Sequence, residues 1–373
     1  MITFKHNAYP TLGIEEELHL IDTETAELTP SVNEVMAFLN PDFRERVCYE
    51  LLQCVLETRT GVYETVDDLI QETANGRTIL ADSCKKLNVH LVAAGSHPFS
   101  DWRKQPFVEN EHYQWVRENH GYIAHRMLAF GLHIHVGVKN EEAAVYVMNE
   151  MRRWTYPLLA LSANSPYYDG GDTGLASTRA HLFHSMPRTK FAPPFKSFAE
   201  LVVYYEKLLA AGDITRPGDL WWIIRPQPPL GTVEFRIFDI PTSVRRIGAF
   251  AALIQAAVDT YQDRFFAGIP VSEFHSGYLE ENWWKAMKYG LNAKIVEPET
   301  GEIITISEQL RRLIDLTAPK AKELHAEHHL DFARTMIEEG SESGLQRVLC
   351  KSLNGDLRAL EKELARRTLD FSA

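Results

Sequence analysis

Short segments that alternate apolar and polar residues place the strongest constraint on how this chain folds. Such alternation sends successive side chains to opposite faces of a β-strand. It occurs at residues 12–21, 51–59, 91–94, 131–138 and 231–239. Because the polar positions hold mostly acids, histidines and arginines, we expect a sheet with one apolar face and one face that carries chemistry.

Helical periodicity fills much of the remaining chain. Thr65 followed by Asp68 is typical of a helix N-cap, and this helix is predicted to continue to about Leu87. Further helices are predicted at residues 141–162, 245–267, 306–316 and 344–367. Strands and helices do not alternate strictly, so the pattern favours an α+β fold over a doubly wound parallel sheet.

The segment of residues 164–194 is rich in Gly, Pro, Ser and Asp. It is longer than an ordinary connection, which favours a functional loop over a site. No linker, repeat or low-complexity tract interrupts the sequence. We therefore expect one domain over residues 1–373, with a C-terminal helical segment from about residue 306 packed on it.

Composition and charge exclude several classes of function. The 373 residues carry a formal net charge of −12, which disfavours a nucleic-acid partner because phosphate backbones need clustered basic residues. A nucleotide could still bind through metal ions or local arginines. The N-terminal residues hold no apolar run typical of a signal peptide, and no stretch of roughly 18 apolar residues occurs, so we expect a cytoplasmic protein with no membrane partner.

Three consecutive acids lie in the first predicted strand, within GIEEEL. Glu15 and Glu17 share one face, whereas Glu16 falls among the apolar positions, where we expect a salt bridge or a place at the sheet rim. Two like charges side by side repel each other unless a cation lies between them. Hard oxygen ligands suit Mg²⁺ or Mn²⁺. A solvated acidic strand face is the alternative.

Two histidines lie in another predicted strand, within GLHIHVGV. His133 and His135 share one strand face, from which both could reach a metal or phosphate site. The flanking Gly131 and Gly137 are expected to leave room for a ligand. A pair of structural histidines is the alternative.

Two further strands bring charged residues of their own. Glu234 and Arg236 share a face within TVEFRIFD, either as an ion pair or with Arg236 placed to stabilise a transferring phosphoryl group. Glu57 ends another strand, with Glu50 and Glu64 seven residues to either side. A single acid in such a stretch usually lies on the surface. Its importance depends on which residues surround it in the fold.

All of these charged residues would face one concavity if their strands belong to one antiparallel sheet. Carboxylates and imidazoles gathered in this way would hold roughly two or three divalent ions. Such ions would attract ATP to an acidic protein. The chain has no GxxxxGKS/T or GxGxxG loop and no GxSxG elbow, which disfavours P-loop, dinucleotide-binding and α/β-hydrolase folds.

Several segments between about residues 10 and 320 resemble motifs of a known family, in the same order. They are GIEEELHLID, LLQCVLETRTGV, GSHPFSDW, NEHYQWVRENHG, FGLHIHVGV, RPQPPLGTVEFRIFD and NWWKAMKYGLNAKIV. The family is that of the bacterial carboxylate-amine ligases grouped with type 2 glutamate-cysteine ligases, a branch of the glutamine synthetase superfamily. The resemblance implies a curved antiparallel sheet that forms an active-site funnel, with helices packed on its outer face.

The resemblance also implies roles for individual residues. The metal ligands would be Glu15, Glu17, Glu57, His133 and Glu234. His135 is similar in place to a residue that contacts nucleotide phosphates, and Arg236 to an arginine that stabilises the transferred phosphoryl group. These two would be the catalytic residues. Arg225 and Arg179 are candidates for binding a substrate carboxylate or phosphate.

The implied reaction is the ATP-dependent formation of an amide, with Mg²⁺ as the metal and Mn²⁺ also suitable. The γ-phosphoryl group of ATP passes to a carboxylate, and an amine then displaces phosphate from the acyl phosphate. The reaction of glutamate-cysteine ligase is one example. The expected partners are small-molecule acid and amine substrates, and the family implies a homodimer.

The sequence departs from the family pattern near the expected substrate. Ile223 stands where an acid is common, Arg59 is unusual, and Glu64 replaces a different residue. These positions leave open which acid and amine are joined, and whether Glu50 or Glu64 adds a metal ligand. Two alternatives also stay open: a metal-dependent amide hydrolase, and a non-catalytic protein of the same fold that binds an amino acid or nucleotide.

Overall fold

The computed structural model describes residues 2–371. Its strands are β1 (Leu12–Asp22), β2 (Val47–Tyr49), β3 (Val55–Arg59), β4 (Val89–Val92), β5 (Gly131–Gly137), β6 (Tyr167–Tyr168), β7 (Gly171–Asp172), β8 (Ile224–Gln227), β9 (Thr232–Asp239), β10 (Lys294–Val296) and β11 (Ile303–Thr305). The main sheet is antiparallel, in the order β2-β3-β1-β5-β9-β8, and β4 also pairs with β1. Two small sheets pair β6 with β7 and β10 with β11.

Helices account for most of the remaining structure. They are α1 (Val32–Ala37), α2 (Pro41–Arg44), α3 (Val66–Lys85), α4 (Glu111–His125), α5 (Glu141–Met151), α6 (Thr155–Ser162), α7 (Thr178–His184), α8 (Phe198–Ala211), α9 (Val244–Phe266), α10 (Ser276–Tyr289), α11 (Ile306–Glu323), α12 (Glu327–Glu339), α13 (Glu342–Ser352) and α14 (Leu357–Thr368). Within residues 2–371, no helix is both long enough and apolar enough to cross a membrane.

A layer of helices covers the apolar face of the main sheet. Ile14 of β1, Ile134 of β5 and Phe235 of β9 are almost fully buried in one hydrophobic core with residues of these helices. Helix α9 contacts α3, α5, α11 and α12. It is buried around most of its circumference, as expected of an apolar helix enclosed by neighbours. The opposite face of the same strands carries their polar residues.

Each predicted strand is present, but the prediction over residues 51–59 is wrong in its first half. Strand β3 begins at Val55, and Leu52 makes only an isolated bridge with Phe107. Leu52 and Cys54 are nevertheless fully buried, so the apolar pattern continues through a turn. Strand β8 was missed because Pro226 within it argues against a strand in the sequence.

The helix predictions differ from the structure at three points: residues 141–162 form two helices, α5 and α6, helix α11 continues to Glu323 beyond the predicted end at residue 316, and residues 344–367 are divided as well. Thr65 caps α3 as predicted, with its hydroxyl accepting a hydrogen bond from the third residue after it. The single helix predicted over residues 344–367 is wrong, because α13 and α14 are separate helices. Asn354 and Gly355 lie between them with φ angles of 56° and 78°. These left-handed conformations end a helix, and glycine adopts them without steric cost.

The C-terminal helices pack against the main sheet. Helix α14 contacts β4. Arg77 of α3 lies 2.7 Å from Glu16 of β1 and 3.2 Å from the carbonyl oxygen of Thr368 in α14. The salt bridge expected for Glu16 is therefore present. His19 of β1 also meets this segment, with its Nε2 atom 2.6 Å from the carboxylate of Glu361.

Candidate active site

A cavity of about 370 Å³ opens on the polar face of the main sheet. Its walls come from strands β1, β3, β5, β8 and β9 and from helices α4 and α7. Most residues singled out from the sequence line it: Glu15, Glu17, Glu57, His135, Arg179, Arg225, Glu234 and Arg236. His133 is almost fully buried beside Glu15 and Glu17. The fold thus brings all of these candidates into one region.

The segment of residues 164–194 contributes one wall of this cavity. It is not a plain loop, because it contains β6, β7 and α7. Phe183 and Met186 line the cavity from it. The carboxylate of Asp239, at the end of β9, accepts hydrogen bonds from the hydroxyl groups of Ser165 and Ser177 at 2.6 and 2.8 Å. These bonds tie the segment to the sheet.

Cross-strand pairing on either side of β1 explains why the charged side chains meet. Glu15 pairs with Arg59 of β3 on one side and with His133 of β5 on the other. Glu17 pairs with Glu57 of β3. Side chains of directly paired residues stand about 5 Å apart on one sheet face. Strand β1 therefore gathers charged groups from both of its neighbours.

Further cross-strand pairs of charged residues follow on β5, β9 and β8. His135 of β5 pairs with Glu234 of β9, and Glu234 pairs with Arg225 of β8. The β5–β9 register shifts between Leu132 and Ile134, an irregularity of the kind that re-aims side chains.

His133 lies at this irregularity and reaches both acids of β1. Its Nδ1 atom is 3.0 Å from Glu15 Oε2, and its Nε2 atom is 3.4 Å from Glu17 Oε1. Burial, reinforced by the charge of Arg236, lowers the pKa of His133 below its ordinary value. The neutral imidazole that results is the form that can bind a metal.

Glu234 is held by two arginines. Arg225 Nε lies 2.7 Å from Glu234 Oε2, and Arg236 Nη1 lies 2.6 Å from Glu234 Oε1. Gln227 also donates a hydrogen bond to this carboxylate. Burial would raise the pKa of Glu234, but the two guanidinium groups outweigh it and hold the pKa well below its usual range. The carboxylate is therefore ionised.

The two histidines carry nitrogen atoms that lack a hydrogen bond. Nε2 of His133 and Nε2 of His135 are buried, and neither has a hydrogen-bond partner in the described part of the chain. Arg236 Nε is in the same condition. A buried polar atom without a partner costs roughly 1–3 kcal/mol. Three such atoms around one cavity indicate a site that a bound group completes.

Glu50 lies in the cavity wall, whereas Glu64 is exposed and is not part of that wall. Burial and the charge of Glu17 raise the pKa of Glu50 to about 7. Burial and the charges of Glu15 and Glu50 raise the pKa of Glu57 well above its usual range. Carboxyl groups with mutually raised pKa values are typical of a functional site, and a cation would relieve their repulsion.

Three groups of side chains in the cavity could each hold a divalent ion. They are Glu15–Glu57–His133, Glu15–His135–Glu234 and Glu17–Glu50–Glu57. One ligand atom from each residue lies within 4.8 Å of the others in its group. Carboxylate oxygens with a few imidazole nitrogens suit Mg²⁺ or Mn²⁺. The residues present therefore fit a divalent ion.

The family model described as glutamate-cysteine ligase family 2 matches residues 11–360. This chain belongs to that family. It is therefore an ATP-dependent carboxylate-amine ligase, as its motifs predicted. A relative from Thermobifida fusca is 33% identical over 97% of this chain and 92% of its own, and one from Rubrobacter xylanophilus is 35% identical over 92% and 91%. They are described as "Putative glutamate--cysteine ligase 2" and "Putative glutamate--cysteine ligase 2-1".

Solved structures of other ligases share the fold. A glutamate–cysteine ligase from Francisella tularensis, in complex with AMP, superposes with a TM-score of 0.73 at 12% identity, over 100% of this chain and 91% of its own. The ligase PafA, in complex with the ubiquitin-like protein Pup, gives 0.55 at 13% identity, over 97% and 73%. At such low identity these likenesses show the fold alone, and the predicted class, an antiparallel sheet with packed helices, is confirmed.

The arginines of this ligase differ in how freely they could reach a substrate. Arg179 donates to the carbonyl oxygens of Ile237 and Arg236 at 3.3 and 3.2 Å and is almost fully buried. Besides its bonds to the Glu234 carboxylate, Arg225 donates to two backbone carbonyl oxygens. By contrast, Arg59 and Arg216 line the cavity with side chains 52% and 59% exposed.

The glycines beside the two histidines do not leave room for a ligand, so that expectation is wrong. A Cβ atom on Gly131 would overlap the guanidinium of Arg179. One on Gly137 would lie 2.7 Å from the hydroxyl of Thr11 and 2.9 Å from the carbonyl oxygen of Tyr9. Both glycines instead allow close approach of other parts of the ligase itself.

Sequence reasoning missed the residues that helix α4 contributes. Tyr113 and His112 of this helix line the cavity, and the Tyr113 hydroxyl donates to the carbonyl oxygen of Tyr49 at 2.7 Å. The family motif NEHYQWVRENHG contains both residues. That motif indicated both residues. Local sequence patterns, however, did not indicate that this helix lies beside the sheet.

Proposed function

We propose that this ligase joins a small-molecule acid to an amine in the cavity above β1, β3, β5, β8 and β9, through an acyl phosphate. One observation carries the proposal. Five carboxylates, two imidazoles and the guanidinium of Arg236 converge on this cavity, and three of its buried nitrogen atoms have no hydrogen-bond partner within residues 2–371. That arrangement suits a polyanionic substrate such as ATP only if cations accompany it.

The acyl phosphate is required because a free carboxylate resists attack by an amine. A carboxylate oxygen of the acid attacks the γ-phosphorus of ATP, and the bond to ADP breaks. The amine nitrogen then attacks the acyl carbon, phosphate leaves, and the nitrogen loses a proton. Arg236 is suited to stabilise the phosphoryl group, since its Nε atom has no partner within residues 2–371. His135 would donate to a phosphate oxygen from its free Nε2 position.

Glu15, Glu17, Glu57, His133 and Glu234 are the proposed ligands of Mg²⁺, with Mn²⁺ as a substitute. Glu50 joins them on its position in the Glu17–Glu50–Glu57 group. Bound divalent ions would neutralise charge on the phosphates. Arg225 orients Glu234, and Arg179 fixes the end of β9, so both hold residues of the site in position. They remain candidates for contact with a substrate carboxylate or phosphate.

Glutamate and cysteine are the first substrates to test, because the relatives carry the name of that reaction. We infer a funnel in which the concave sheet face guides ATP and the acid to opposite ends of the cavity. We also infer a single domain over residues 1–373 and a cytoplasmic location, from the sequence pattern, and a homodimer, as the family resemblance implies. Light scattering of the purified protein tests the dimer directly.

The central experiment measures ADP release by the purified ligase with Mg²⁺ and ATP across a panel of acids and amines. We expect at least one pair that contains glutamate to stimulate release. Glu234→Gln should abolish this activity, whereas Glu206→Gln, on the exposed face of α8, should leave it unchanged. If no pair stimulates release and amides are instead hydrolysed without nucleotide, the enzyme is a hydrolase.

A further inference from the structure

Arg59 occupies an unusual place in the cavity. It pairs with Glu15 across the β1–β3 ladder. Its Nε and Nη2 atoms both lie 3.0 Å from Glu57 Oε1, and Nε lies 3.6 Å from Glu15 Oε1. The guanidinium therefore bridges the two carboxylates. Its side chain is 52% exposed, so it could also swing away from them.

These two carboxylates belong to one of the three groups that could hold a divalent ion, Glu15–Glu57–His133. A guanidinium and a divalent ion compete for the same carboxylate oxygens, because each compensates the same charge and the two cations repel each other. An ion at this group would have to displace Arg59 or bind beside it. The group is therefore occupied by a cation of the protein's own.

The Glu17–Glu50–Glu57 group lies in a different environment. Among the described residues, no arginine or lysine pairs with Glu17 or Glu50 within 4.0 Å. Glu17 accepts a hydrogen bond from the backbone of Gly131, and Glu50 accepts one from Leu51. The third group, Glu15–His135–Glu234, already has two guanidinium groups on Glu234. Glu17 and Glu50 thus lack an arginine or lysine partner in the described part of the chain, whereas the third member of their group, Glu57, is held by Arg59.

We propose that Arg59 is a built-in cation that takes the place of one divalent ion between Glu15 and Glu57, so that the wild type binds fewer ions than the carboxylates of its cavity could hold. This inference rests on the proposed function in one respect only, namely that metal ions act in this cavity. It concerns the number of ions bound. It does not depend on which acid and amine are joined.

The test counts Mn²⁺ ions bound to the nucleotide-free protein by titration calorimetry and by electron paramagnetic resonance. We expect Arg59→Gln to bind one more ion than the wild type, or to bind its weakest ion at least about tenfold more tightly. Arg59→Lys should keep the wild-type number, because it keeps the charge. Arg103→Gln, which removes an exposed arginine paired with Asp101 outside the cavity, is the matched control and should change nothing.

One further variant locates the extra ion. Adding Glu15→Gln to Arg59→Gln should cancel it, because this change removes one of the two carboxylates that Arg59 holds. Unchanged number and affinity in Arg59→Gln, provided its circular dichroism and melting are native, would overturn the inference. So would an extra ion that persists when Glu15→Gln is added, or no Mn²⁺ binding by any variant. The binding measurements contain neither ATP nor substrates. Their result can therefore be interpreted even if no ligase activity is found.

Discussion

The two faces of strand β1 treat neighbouring acids in opposite ways. On the helical side, Arg77 donates to Glu16 Oε1 from two nitrogen atoms, at 2.9 and 2.7 Å. The same guanidinium donates to the backbone carbonyl groups of Pro241, Thr242 and Thr368. On the cavity side, Glu17 and Glu57 face each other across the ladder; Glu57 is held by Arg59, and no arginine or lysine among the described residues pairs with Glu17.

This contrast shows how one strand can serve architecture and chemistry at once. The buried pair of Glu16 and Arg77 has its hydrogen-bonding capacity largely used, as a polar group in a stable core requires. In the cavity, nitrogen atoms of His133, His135 and Arg236 have no hydrogen-bond partner among the described residues. Incomplete satisfaction is costly, and it persists where a ligand supplies the missing contacts.

The largest effect on stability is expected on the helical side. Arg77→Met should lower the free energy of unfolding by about 3–5 kcal/mol, because it leaves the Glu16 carboxylate buried without its partner. Urea-induced unfolding followed by circular dichroism measures this change. Glu16→Gln combined with Arg77→Met should recover part of the loss, since no buried charge then remains. A loss below about 1 kcal/mol would show that the two faces differ less than their contacts indicate.

Substitutions on the cavity side should change the activity of the ligase and leave its free energy of unfolding nearly unchanged. Glu17→Gln should lower kcat/KM by about 10²–10³-fold, as expected for the loss of a charged group that supports phosphoryl transfer. Its free energy of unfolding in the absence of metal should stay equal or rise, because one of several repelling carboxylates is gone. Glu24→Gln, an exposed substitution after the end of β1, is the control. Loss of stability without loss of activity would reverse the assignment of the two faces.

Much of this division could be predicted from sequence because it depends on local periodicity. Period-two alternation placed Glu15 and Glu17 on one face, and it marked Glu16 as an exception for which a salt bridge or a place at the sheet rim was expected. Neither alternation nor motif spacing could name Arg77 as the partner, because that contact joins β1 to a helix 61 residues away.

The rest of the site required long-range information for the same reason. Glu50 precedes a turn that is as apolar as the strand it interrupts, so its position beside Glu17 had no local signal. The meeting of Arg59 with Glu15 depends on the β1–β3 register. Gly131 looked like space for a ligand because its true neighbour, Arg179, lies in a distant segment of the chain.

His19 shares a face with Glu15 and Glu17 but is covered by α14, whose Glu361 pairs with it. It stacks on Phe130, a cavity-wall residue, with ring centroids 4.6 Å apart, and pairs with Glu361. Burial raises the pKa of Glu361 from 4.5 to about 7. The folded state therefore holds this proton more tightly, so its contribution to stability is complete below pH 4.5 and is lost as the pH rises through about 7.

Comparison with Glu361→Gln isolates this carboxyl group. The stability of the wild type relative to the variant should fall by roughly 3 kcal/mol between pH 4.5 and pH 7.5. Burial also lowers the pKa of His97 to about 4 and that of His19 to about 3, so both histidines oppose the trend below pH 6.5. Their burial is common to both proteins and cancels, whereas the charge of Glu361, which raises the pKa of His97, is lost in the variant. A pH-independent difference would mean that Glu361 is ionised in the closed part of this face.

The smallest effect concerns the helix that carries Arg77. Thr65 accepts a hydrogen bond from the backbone of Asp68 at the start of α3, and Thr65→Ala should cost about 1 kcal/mol of stability. Thr65→Ser keeps the acceptor and is the matched control. Because the cap lies more than two turns from Arg77, kcat/KM should not change in either variant. A fall in activity with Thr65→Ala alone would mean that the helical side and the cavity side are coupled through α3, and that the separation of the two faces of β1 is incomplete.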